Sequence, residues 1–107
     1  MNGFYKGLTG SKSNWLGKTF SASKSTGINS FKENREVVQK YPFKTYEENG
    51  KLILDYNLKE NPWWIRRIVD ELIEKKPNKF EGIMKIKIIG SVLIPVGKFK
   101  LEKSLTK

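Results

Sequence analysis

The chain has 107 residues, enough for about one domain with a single core. Aromatic residues make up 12% of it, cysteine and histidine are missing altogether, and the formal net charge is +10. Disulfides, thiolate metal sites, thiol nucleophiles and every imidazole-based ligand or general base are thereby excluded.

Met1 to Gly10 carries no secretory pattern, and no apolar run approaches the ~18 residues of a membrane helix, so the cytoplasm is the expected compartment. Both ends are basic: residues 1–32 hold five Lys and no acid, whereas residues 33–75 are near balance. Such a field favours nucleic acid or an anionic surface. Most of the basic residues are Lys, which suits solvated strand faces better than specific phosphate or base readout.

Residues 1–12 are rich in Gly and polar groups and read as an irregular lead-in to a single β-barrel domain spanning 1–107. A strand opens at Trp15, SKSTG (23–27) is a polar turn, and a short strand follows over Gly27–Lys32. Residues 37–46 alternate, with Val37, Gln39, Tyr41, Phe43 and Thr45 on one face and Lys40, Pro42 and Lys44 on the other. Pro42 lacks a ladder donor and points to an edge or a bulge. Asn49-Gly50 is the clearest hairpin signal, because both residues tolerate positive φ. Beyond it Leu52, Leu54, Tyr56 and Leu58 share a face.

Asn61 and Pro62 look like a helix start, and Trp64, Ile65, Ile68, Val69, Leu72 and Ile73 recur at helical spacing. The end of that run pairs equally well with Phe80–Ile89 across a turn at Pro77-Asn78. The expectation is a short helix near 62–68 that becomes a strand by about Glu71, with one long helix as the alternative. Met84, Ile86 and Ile88 alternate against Lys85 and Lys87, Gly90-Ser91 turns, and a last strand follows, bulged at Pro95 or Gly97. About seven or eight short strands, mainly β, close most simply as an up-and-down antiparallel barrel.

The segment Asn14-Trp15-Leu16-Gly17-Lys18-Thr19-Phe20 resembles the opening strand of calycin-type barrels. These include lipocalins, fatty-acid-binding proteins and GXWXG-type bacterial proteins of unknown function. Ser13 stands where the motif has its first Gly. Asp55-Tyr56, Asn61-Pro62, Ile65-Arg66, Asp70-Glu71-Leu72, and Pro77 ahead of Phe80 and Gly82 resemble short bacterial proteins of the same kind. The resemblance implies a small barrel with an apolar interior, a Trp plugging its closed end and a small hydrophobic ligand inside.

The residues expected to line such a site are Trp15, Tyr41, Phe43, Leu54, Tyr56, Trp63, Arg66, Met84, Ile86 and Phe99, with Leu52, Ile88 and Leu101 on the same inward face. Two Tyr hydroxyls among apolar side chains suit a small-molecule site, and the same side chains suit a packed core. Trp63-Trp64 beside Arg66-Arg67 has the make-up of a lid, a stacking platform or a partner anchor. Alternatively one Trp caps the barrel and an Arg pairs with Asp70 or Glu71. Asp70, Glu71 and Glu74 read as surface partners rather than acid–base groups. No phosphate loop and no nucleophile with its base occur, so no catalytic residue, metal site or cofactor is expected. The function read from sequence is non-enzymatic binding of a small hydrophobic molecule. A nucleic-acid-binding basic barrel and a protein-interaction module anchored by Trp63 and Trp64 are the alternatives.

Overall fold

Asn49 and Gly50 take the left-handed backbone region, with φ of 53° and 77°, and pair Glu48 with Lys51 across the turn. Asn34 and Arg35, at 49° and 69°, do the same between Glu33 and Glu36. Turns of this hand match the twist of the strands they join, so consecutive strands pair as neighbours. The computed structural model describes residues 1–8 and 14–103. Eight strands result: β1 (Gly3–Leu8), β2 (Trp15–Ser21), β3 (Thr26–Glu33), β4 (Glu36–Glu48), β5 (Lys51–Asp55), β6 (Ile68–Lys76), β7 (Lys79–Lys87) and β8 (Leu93–Glu102). Each is antiparallel to the next, and β1 meets β8 through Lys6–Glu102, Gly7–Leu101 and Leu8–Lys100 to close the barrel. Closure leaves no sheet edge.

Four expectations change. Residues expected as an irregular lead-in form β1, because Tyr5 is buried and its neighbours complete the seam between β2 and β8. The remainder of that lead-in, and Ser13, lie outside the described residues. The helix near 62–68 shrinks to one 3-10 turn, Ile65–Arg67, and strand begins at Ile68. The helical spacing arose because β6 is apolar on both faces: Leu72 points into the core, while Val69, 6% exposed, lies on the outer face beside Ile53 and Leu93. Asn61 does not cap the turn; its side-chain amide donates to the carbonyls of Pro42 and Tyr56 at 2.8 Å.

The alternation in β4 also breaks. Tyr41 has φ of 63° and sits at a register shift, Pro42 facing Ile28 while Lys40 faces Asn29. The extra residue reverses the faces, so Val37 is 63% exposed while Phe43 is fully buried. Ile88, expected inside, lies beyond the end of β7 and is exposed.

One half of the interior is solid. Tyr5, Phe20, Phe43, Leu54, Leu72 and Leu101 are buried together. Tyr5 meets Phe20 and Phe80 edge to face at 5.5 and 5.7 Å, and Phe20 meets Phe43 at 5.4 Å. Each such side chain contributes roughly 1.5–3 kcal/mol through burial alone.

Candidate functional site

Four polar side chains lie across the middle of the barrel: Lys18 from β2, Asn29 from β3, Tyr56 just after β5 and Asp70 from β6, each 5% exposed or less. Period-two alternation places them there, Lys18 in phase with Phe20 and Asp70 in phase with Leu72. Lys18 Nζ donates to Asn29 Oδ1 at 2.8 Å and to Tyr56 Oη, and it pairs with Asp70 Oδ2 at 3.2 Å. Three ammonium donors thus meet three acceptors. The same nitrogen stands 5.2–5.4 Å from the ring centres of Trp15, Phe43, Tyr56 and Phe99. These ring faces recover part of the hydration the ammonium has lost.

The remaining valences are used in turn. Tyr56 Oη donates to Asp70 Oδ2 at 3.1 Å and accepts from Asn29 Nδ2 at 3.0 Å. Asn29 Nδ2 also donates to the Tyr41 carbonyl at 3.1 Å, and Asn29 Oδ1 accepts from Trp15 Nε1 at 2.9 Å. Asp70 Oδ1 is buried with no hydrogen-bond partner among the described residues. Burial pulls the Lys18 ammonium below its ordinary range, opposed by the Asp70 charge. Burial pushes the Asp70 carboxyl up, opposed by Lys18 and Tyr56. The Tyr56 phenol is raised well above its usual value, by burial first and by Asp70 second, so it stays a donor.

Beyond this layer the barrel is hollow. A cavity of about 350 Å³, open to solvent, is lined by Trp15, Phe31, Tyr41, Ile65, Ile68, Met84, Gly97, Lys98 and Phe99, and by all four polar residues. Three bulges shape its wall. A register shift between Trp15 and Gly17 turns both Trp15 and Lys18 inward, the shift in β4 brings in Tyr41, and one in β8 between Pro95 and Gly97 widens the sheet opposite Met84. Gly82 admits the Phe99 ring so closely that a Cβ there would sit 2.2 Å from Phe99 Cζ.

Of the residues expected to line the site, Trp15, Tyr41, Tyr56, Met84 and Phe99 come together at this cavity. Phe43 and Leu54 belong to the solid core instead, both fully buried. Ile86 is half-buried opposite Ile68 and stands outside the lining. Trp63 is 68% exposed, and Arg66 donates to the carbonyls of Asn61 and Lys59 rather than facing the cavity. Trp15 plugs no closed end; it walls the open chamber.

Neither Arg66 nor Arg67 pairs with an acid among the described residues. Arg67 donates to the carbonyls of Lys87 and Ile88, and Glu71 pairs with Lys51 and Lys85 at 3.2 and 2.9 Å. Asp70, read from sequence as a surface group, is 2% exposed. Lys18, Asn29 and Asp70 were missed because charged and amide side chains are read as outward by default. Their phase with Phe20, Phe31 and Leu72 was the available signal. The chain matches no known family model, no curated protein and no solved structure. No helix among the described residues is long and apolar enough to cross a membrane.

Proposed function

We propose that the barrel binds one small, largely apolar molecule and does no chemistry on it. The observation that carries this reading is the open cavity of about 350 Å³, walled by rings and aliphatic side chains and floored by a few converging polar groups. Small-molecule sites have this composition and size. An eight-stranded barrel has an interior just wide enough to be filled by side chains or to hold one small ligand. The likeness of Asn14–Phe20 to the first strand of calycin barrels supports the same reading, and the closed up-and-down topology is compatible with it. Lys18 is no nucleophile in this arrangement, since all three of its N–H groups are engaged.

Trp15 is a built-in reporter, because its indole both lines the cavity and holds Asn29. In a Trp63→Phe/Trp64→Phe variant, titration with fatty acids, retinoids or isoprenoids is expected to change Trp15 emission saturably. Emission indifferent to every such compound would refute the reading. A second reading, a protein-docking role, is favoured by one observation: Trp63 and Trp64 are 68% and 54% exposed and stack edge to face at 5.8 Å. Size exclusion of the protein against Trp64→Ala tests it, an unchanged elution volume counting against self-association through this pair.

A further inference from the structure

The hydrogen-bond inventory of the polar floor narrows the ligand's chemistry. Lys18 has spent its three donors, Asn29 both amide hydrogens and its carbonyl, and Tyr56 its hydroxyl hydrogen, all within the layer. Asp70 differs. Its Oδ2 receives Lys18 and Tyr56, while Oδ1, on a side chain 3% exposed, receives nothing among the described residues. Asp70 also lines the cavity. The layer's open valence among the described residues is therefore an acceptor on a carboxylate whose residue lines the chamber.

We infer that the cavity selects apolar molecules whose inner end carries a neutral hydrogen-bond donor, an alcohol above all, and discriminates against carboxylates, ketones and bare hydrocarbons. This inference rests on the binding reading and gives it a polarity. A carboxylate entering head first finds no free donor on Lys18 and meets the like charge of Asp70. A ketone places its oxygen against Asp70 Oδ1, acceptor against acceptor. A hydrocarbon leaves the carboxylate oxygen as it stands, without a partner, and forgoes the bond that a donor would make. A primary ammonium offers donors but brings a second cation beside the Lys18 Nζ and loses its own hydration. The hydroxyl alone replaces the missing hydrogen bond without adding charge, and bonds to ionised groups are among the stronger ones.

The test compares decanol, decane, decanoate, decylamine and the methyl ketone of equal chain length by calorimetry and Trp15 emission. Decanol is expected to bind at least about tenfold more tightly than each of the others, the scale of one hydrogen bond to a charged group. The Asp70 carboxyl carbon resonance should move on adding decanol and stay put with decane. Equal affinities across the series, or decanoate binding tightest, overturn the inference while leaving the binding reading intact. If none of the five binds, the binding reading itself fails. Asp70→Asn adds a reversal. Lys18 and Tyr56 both require an acceptor, so the amide oxygen turns to them and its NH2 faces the chamber. The ketone should then gain on decane, provided circular dichroism shows the variant folded. Should it not fold, the ligand series and the Asp70 resonance in the unaltered protein decide the matter.

Discussion

On one side of the layer formed by Lys18, Asn29, Tyr56 and Asp70 the barrel is solid, and on the other the same strands enclose about 350 Å³ of open space. Ring content does not separate the two halves: Tyr5, Phe20 and Phe43 fill one, while Trp15, Phe31, Tyr41 and Phe99 wall the other. Backbone does. The register shifts in β2 and β4, and the one in β8, all fall beside cavity residues and spread the strands there. The solid half carries one shift, between Glu74 and Lys76 in β6 beside the turn to β7, and the close approach of Phe43 to Gly27 shows how tightly rings are drawn in: a Cβ at Gly27 would lie 2.4 Å from the Phe43 ring. Three shifts within the strands accompany the open half, and a single one at a hairpin end accompanies the packed half.

The sharpest way to break this comparison is to disturb the layer between the halves. Lys18→Met leaves Asp70 buried without its cation and should cost about 3 to 5 kcal/mol, read as a lowered urea midpoint at unchanged slope. Adding Asp70→Leu to that variant should recover part of the loss, because apolar side chains of similar volume need no counter-charge.

Truncations on either side should differ. Phe43→Ala in the solid half is expected to cost about 3 to 5 kcal/mol. Met84→Ala, on the wall of a space that is already open, is expected to cost about 1 kcal/mol, as for a side chain that leaves no new enclosed void. Equal losses in the two would remove the distinction between halves. Gly82→Ala sharpens it differently: the new methyl drives the Phe99 ring into the chamber, costing about 1 to 3 kcal/mol and reducing ligand uptake in the titrations above.

The smallest effect is expected outside the barrel. Hydrogen bonds from Lys85 and Lys51 hold the Glu71 carboxyl below its ordinary value of 4.5. Its contribution is therefore present above pH 4.5 and drains away as pH falls through the lower folded value. Glu71→Gln should cost about 1 kcal/mol at neutral pH, and the two proteins should converge in acid.

Much of this architecture was legible in the chain. Asn49-Gly50, Pro77-Asn78 and the alternation of β5 and β7 carried the hairpins, and closure followed from their number. The break in β4 was visible only as Pro42, since a bulge reverses the faces without altering composition. That reversal is why Val37 was read inward. The site was half legible. Apolar wall residues such as Met84 and Phe99 announce themselves by phase. Lys18, Asn29 and Asp70 share that phase, yet a polar residue facing inward is justified only by partners on other strands, and those pairings exist only once the barrel has closed. Residues 61–67 were least legible, because Asn61 serves the Pro42 and Tyr56 carbonyls across the fold rather than the turn that follows it.

Whether the bulged half is a receptive chamber can be asked of two side chains directly. With methyl groups labelled, decanol titrated into the protein should move the Met84 methyl resonance saturably while the Leu54 methyls, fully buried in the solid half, hold still. Met84 silent at saturating decanol, or Leu54 shifting as much as Met84, would contradict the division into a packed half and a hollow one.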